Sequence, residues 1–148
     1  MATSAVESNK LVCVVAAGAL IAGSFISWAV VDVGVFHVSK SGIDGGDGWF
    51  TAGLGAFALW CFLVDTFSGG AVFCVLGGAL AVYELVDVQN RIDDIEGSDL
   101  VQAKVGLGLY ICLIGAAIGV IAGFVTHKQQ KERATAEAGA ATASQLPM

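Results

Sequence analysis

Glu84 and Asp87 stand three residues apart near the end of an otherwise apolar stretch, AVFCVLGGALAVYELVDV. On a helix that spacing puts both carboxyls on one face. Ionisable side chains at membrane depth are costly and turn to protein or water rather than lipid, so the pair reads as the mouth of a cation- or proton-binding vestibule. Counting from Ala71 at the helical rise places Glu84 about 20 Å along its span, some ~10 Å below the outer surface of a hydrocarbon core of roughly 30 Å. Asp32 reaches a similar level from the first apolar stretch, and Lys40, His37, Arg91 and Lys104 are candidate counter-charges. A plainer role is open to the three acids, which snorkel to the interface or cap polar contacts between helices in that reading.

A second acidic group, Asp44-Gly-Gly-Asp47-Gly, offers oxygen ligands of the type calcium prefers. Neither it nor the later IDDIEGSD has the spacing of an EF-hand loop, so solvated acidic loops are the alternative. Calcium is therefore the one cofactor the residues suggest. The four cysteines, Cys13, Cys61, Cys74 and Cys112, all lie in apolar stretches, and there is no CxxC. They read as small buried hydrophobes rather than zinc ligands. His37 and His127 fall at opposite faces of the expected topology, and no nucleophile, metalloprotease, P-loop or potassium-filter pattern occurs. A net charge of −6 argues against nucleic acid as a partner. Catalysis is not expected.

These residues need elements to hold them. Of the 148 residues, 56% are hydrophobic and only 14% charged, against about 25% charged in an ordinary soluble domain. Leu11 to Val31 is uncharged, long enough for the ~20 residues a helix needs to cross a bilayer. It is too long for a cleaved signal h-region and reads as a retained span. The pattern predicts spans over about 11–36, 49–67, 71–88 and 101–125 within a membrane domain of about 11–126. Residues 1–10 form a cytoplasmic segment and 127–148 a flexible cytoplasmic tail. VSKSGIDGGDG reads as a glycine-rich loop, with Trp49 and Phe50 as interfacial anchors. Ser68-Gly69-Gly70 reads as a hairpin connector. The third span is free of charge only to Tyr83, so a re-entrant segment is its alternative.

Lys10, Lys128, Lys131 and Arg133 fall on one side of this topology and Lys40, Arg91 and Lys104 on the other. The basic residues close after the fourth span favour cytoplasmic termini. Ala19, Gly23 and Ser27, and likewise Gly115, Gly119 and Gly123, recur at four-residue spacing. Each series gives a helix a smooth face for close contact, either within the chain or between subunits.

The stretches SFISWAVVDVG, GIDGGDGWFTAGLGAF and Val105-Gly106-Leu107-Gly108-Leu109 resemble a pattern in small four-span membrane proteins of actinobacteria and their phages. The resemblance covers roughly Leu11 to Val125. It implies a four-span fold and supplies no catalytic residues. The reading that follows is an all-α, integral membrane four-helix antiparallel bundle of the cell membrane, multi-pass, with both termini cytoplasmic. Its partners are the lipid bilayer and either itself or other membrane subunits. It acts by self-assembly or as an accessory subunit of a larger complex. The alternative is an oligomeric pore or ion pathway, such as a phage holin-like or superinfection-exclusion protein, with Glu84, Asp87 and Asp32 at its outer mouth.

Overall fold

The apolar stretches fold as helices of unequal length, joined at one end by a small sheet. In a computed structural model of the chain, residues 2–33, 36–95 and 101–144 are described. The order is α1 (Ala2–Phe25), β1 (Ser27–Val33), β2 (Phe36–Ser41), α2 (Gly42–Gly45), α3 (Gly48–Leu63), α4 (Phe67–Ile95), β3 (Val101–Val105) and α5 (Leu107–Ser144). The four longer helices pack in a ring, α1 on α3, α3 on α4, α4 on α5 and α5 back on α1. Three of them, α1, α4 and α5, are long and apolar enough to cross a membrane. The 16 residues of α3 rise only ~24 Å, short of a core of roughly 30 Å.

Side-chain size is distributed inside out. The buried positions are dominated by small groups, among them Cys13, Ala16, Ala17, Ala58, Ala71, Cys74, Ala81, Cys112 and Ala116. Large apolar side chains such as Val15, Phe57, Trp60, Val72, Leu76, Ile114, Ile121 and Phe124 are exposed around the ring. In water this arrangement would leave the main hydrophobic driving force unused. In lipid it is the favourable one, because small residues let helices approach while the large ones meet acyl chains. Two buried hydroxyls are returned to the backbone. Ser24 Oγ donates to the Leu20 carbonyl at 2.9 Å and Thr126 Oγ1 to that of Ala122 at 2.7 Å.

The first span is expected to run to about residue 36, but α1 stops at Phe25 and the chain enters β1. The β-branched residues Val30, Val31 and Val33 favour a strand once its neighbours are present. The sheet has the order β2-β1-β3, antiparallel on both sides. β1 takes its partners from the supposed glycine-rich loop and from the supposed start of the fourth span. The register slips between Ser27 and Ala29, so Trp28 is the bulged residue. Its indole is buried, donates to the Gly23 carbonyl at 2.9 Å, and lies directly against Gly42. The Gly106 amide donates to the Trp28 carbonyl at 2.7 Å, and a Cβ at Gly106 would strike the Ser27 carbonyl.

Two further boundaries differ. Ser68, Gly69 and Gly70 lie inside α4, and the hairpin turn is made by residues 64–66. Asp65 takes a positive φ of 60° there, and Gly70 packs under the Phe62 ring. α4 passes Glu84 without a break, so the re-entrant alternative is not the form observed. α5 continues through the supposed flexible tail to Ser144, while residues 145–148 lie outside the described ones. At the end away from the sheet, Lys10 Nζ pairs with Asp65 at 2.7 Å and donates to the Leu63 carbonyl at 3.1 Å. Asn9 donates to Gln129 at 3.2 Å.

Trp28→Ala is expected to destabilise the fold by about 3 kcal/mol, the usual cost of truncating a buried aromatic. Unfolding followed in detergent would check this. Asp65→Ala should cost about 1–2 kcal/mol through its left-handed backbone, while Asp65→Gly should recover most of that loss. Equal losses for the two variants would assign the effect to the Lys10 pair instead.

Candidate functional site

The sheet end of the bundle carries a polar cavity of about 310 Å³. It is built in three moves. β2 ends at Ser41, and Ser41-x-x-Asp44 forms a capping box on α2. The Asp44 amide donates to Ser41 Oγ at 3.3 Å, and the Ser41 amide and hydroxyl donate to Asp44 Oδ2 at 3.2 and 2.8 Å. These bonds to the ionised form hold the exposed Asp44 carboxyl below the usual aspartate range, the hydroxyl contributing most. Gly46 then turns the chain with φ +97°, a conformation glycine adopts without a steric cost.

Asp47 follows at the start of α3, its carbonyl accepting from the amides of Phe50 and Thr51 at 3.0 and 3.3 Å. Its side chain makes no capping bond. It stands instead within hydrogen-bonding range of the Glu84 carboxyl on α4. One turn further along α4, Asp87 accepts from Arg91 Nε at 2.7 Å. The pair is largely exposed, so the contact contributes only a few tenths of a kcal/mol, roughly 0.3–0.5.

The cavity is lined by four carboxyl side chains, Asp44, Asp47, Glu84 and Asp87, by the cations Lys40 and Arg91, and by the Trp28 indole. Glu84 is only 8% exposed. Glu84 stands beside Asp47, where α3 begins with the exposed Trp49 and Phe50. The lining therefore favours positive ligand groups, with Lys40 beside them able to receive an anionic group.

Glu84 and Asp87 are brought together as their spacing implied, and Asp44 and Asp47 join them from the preceding loop. Asp32 does not line this cavity. It sits in β1, in register with His37 on β2 and Gln102 on β3. Lys104 lies on β3 opposite Val30. Glu96 and Asp99 lie outside the described residues. Among the described residues, no group of three or more His, Cys, Asp or Glu side chains converges as a metal site. Cys13, Cys74 and Cys112 are buried thiols in the bundle and Cys61 is half-buried.

Both small-residue series find neighbours in the same chain. Gly115 meets Ala16 and Ala19 of α1, Gly119 meets Cys74 of α4, and Gly123 meets Ala71 of α4. A Cβ at Gly119 would lie 2.5 Å from Cys74 Sγ, and one at Gly23 2.6 Å from Cys112 Sγ. Ser27 leaves the α1 stripe because the helix has already ended. The residues that sequence reasoning overlooked are Trp28, Ser41 and Gly42. The [ST]-x-x-[DE] pattern at Ser41 was the available signal for the second of them.

No family model matches the chain, and no curated protein matches it either. The resemblance to small four-span proteins rests on its short motifs alone. Three long apolar helices, surrounded by exposed apolar side chains, fit a multi-pass membrane protein.

Asp44 supplies a pH dependence with a definite sign. Its folded value is depressed, so its contribution to stability is complete above the ordinary value of 3.8 and is lost as pH falls through the lower folded value. Thermal unfolding between about pH 5 and 3 should show that loss, and Asp44→Asn should flatten this component of the profile.

Proposed function

We propose that this chain is a non-enzymatic integral membrane protein, working by self-assembly or as an accessory subunit of a larger membrane complex. The observation that carries the reading is the inverted distribution of side-chain size, small inside and large apolar outside. A surface of that kind is made for lipid and for other apolar helices. The shallow groove between α1 and α5, walled by Leu11, Val15, Ile114 and Ile118 and floored by Ala16, Ala19 and Gly115, offers such a helix a place to lie. The glycines of α5 are already used within the chain, so contacts with a partner fall on the large side chains of the rim.

Conduction through a single chain has less support, since Leu20, Cys74, Cys112, Ala116 and Phe62 fill the middle of the bundle. A pore would have to form between copies. In this reading both termini are cytoplasmic and the sheet with its cavity faces outward, in keeping with the basic residues that follow the apolar part of α5.

The protein is expected to stay in the membrane pellet after alkaline carbonate extraction. Mild-detergent purification from native membranes followed by native mass spectrometry should then return either a stoichiometric unrelated subunit or a defined homo-oligomer. A monomer released without any partner would overturn the assembly reading. A closed ring of this chain alone would move the pore reading to first place.

A further inference from the structure

Glu84 poses a chemical question that the bundle does not answer. The residue is 8% exposed, and the side chain next to its carboxyl on the cavity lining is another carboxyl, that of Asp47. A carboxylate offers only acceptors, so two of them in one place call for a donor or a positive charge between them. The nearby cation Arg91 is committed to Asp87 one turn away. Glu84 and Asp47 both line a cavity of about 310 Å³, near the lower limit of small-molecule sites.

We propose that the cavity under the sheet binds a ligand carrying a primary ammonium group, seated on the carboxyls of Asp47 and Glu84. An ammonium brings three N–H donors and one positive charge, which is what two facing carboxylates lack. Lys40, also on the lining, is placed to receive an anionic group on the same ligand. The Trp28 indole forms part of the wall. A metal ion is the weaker fit, because no third acidic, histidine or cysteine ligand converges among the described residues. The ammonium could belong to a free small amine or to an ethanolamine lipid headgroup. The second source is within reach because α3 begins here with the exposed Trp49 and Phe50, at the level of an interfacial aromatic belt. The inference stands whether the chain assembles with itself or with another subunit.

The full chain would be placed in phosphatidylcholine nanodiscs and its melting temperature measured with ethanolamine, tetramethylammonium or calcium chloride, and separately in nanodiscs containing phosphatidylethanolamine. Ethanolamine, or phosphatidylethanolamine if the headgroup is the source, should raise the melting temperature by roughly 3 °C or more. Tetramethylammonium, which has no N–H, should not. Glu84→Gln and Asp47→Asn, each first checked by circular dichroism for native helix content, should abolish the gain. Protection by free ethanolamine identifies a soluble amine, and protection by the lipid alone identifies the headgroup; either supports the site. The proposal is overturned if neither primary-ammonium probe protects, since a proton shared by the two carboxyls would then suffice. It also fails if tetramethylammonium protects equally, if calcium alone protects, or if both variants keep the gain.

Discussion

The close approach of two chain segments around Trp28 is the constraint on which the sheet end of the molecule depends. Its indole is anchored to the Gly23 carbonyl at the end of α1 and covered by Gly42 at the start of α2. Its own carbonyl accepts from Gly106, just before α5. One residue therefore connects the end of α1, the loop that carries Asp44 and Asp47, and the start of α5. Gly108 lies against the Gly23 and Ile26 carbonyls in the same joint, at a separation where a Cβ would be 2.6 Å from the Gly23 oxygen. Side chains at these glycines would force α1 and α5 apart, and β3 would lose its place beside β1.

That joint also explains why the cavity exists. α4 by itself offers Glu84 and Asp87 on one face, with Arg91 a turn beyond. Only when β1 pairs with β2 does the chain return over the bundle, so that α2 and the first turn of α3 line one cavity with α4. The capping box at Ser41 and the turn at Gly46 then fix where Asp47 arrives. The result is a buried carboxyl opposite a second one. Such an arrangement raises the cost of an empty site and gives a bound cation more to gain there than at the surface, because screening by water is weaker.

Elsewhere the bundle follows a different logic. Its interior is mostly alanine, cysteine and glycine around a few large side chains, Leu20, Phe62, Phe67 and Leu109, and cohesion comes mainly from close packing. The opposite end is secured by polar contacts among Asn9, Lys10, Asp65 and Gln129, which tie α1 to the α3–α4 turn and to α5. Two kinds of adhesive thus act at the two ends, with small-residue packing between them.

The sequence by itself determined the helical, membrane-like character of the chain, the four apolar stretches and the shared face of Glu84 and Asp87. Those properties are local: apolar length, charge content and helical period can be read residue by residue. It could not show that α1 ends at Phe25, because SWAVVDV is as apolar as the helix before it and becomes a strand only when β2 and β3 supply hydrogen-bond partners from 36–41 and 101–105. Nor could it show that Asp32 stays on the sheet while Asp47 faces Glu84. The glycine series of α5 was visible, yet which neighbours it meets, Ala16 and Ala19 on one helix and Ala71 and Cys74 on another, depends on the ring order of the helices. Tertiary structure decided these matters because each is a pairing between segments far apart in the chain, and no local preference selects the partner.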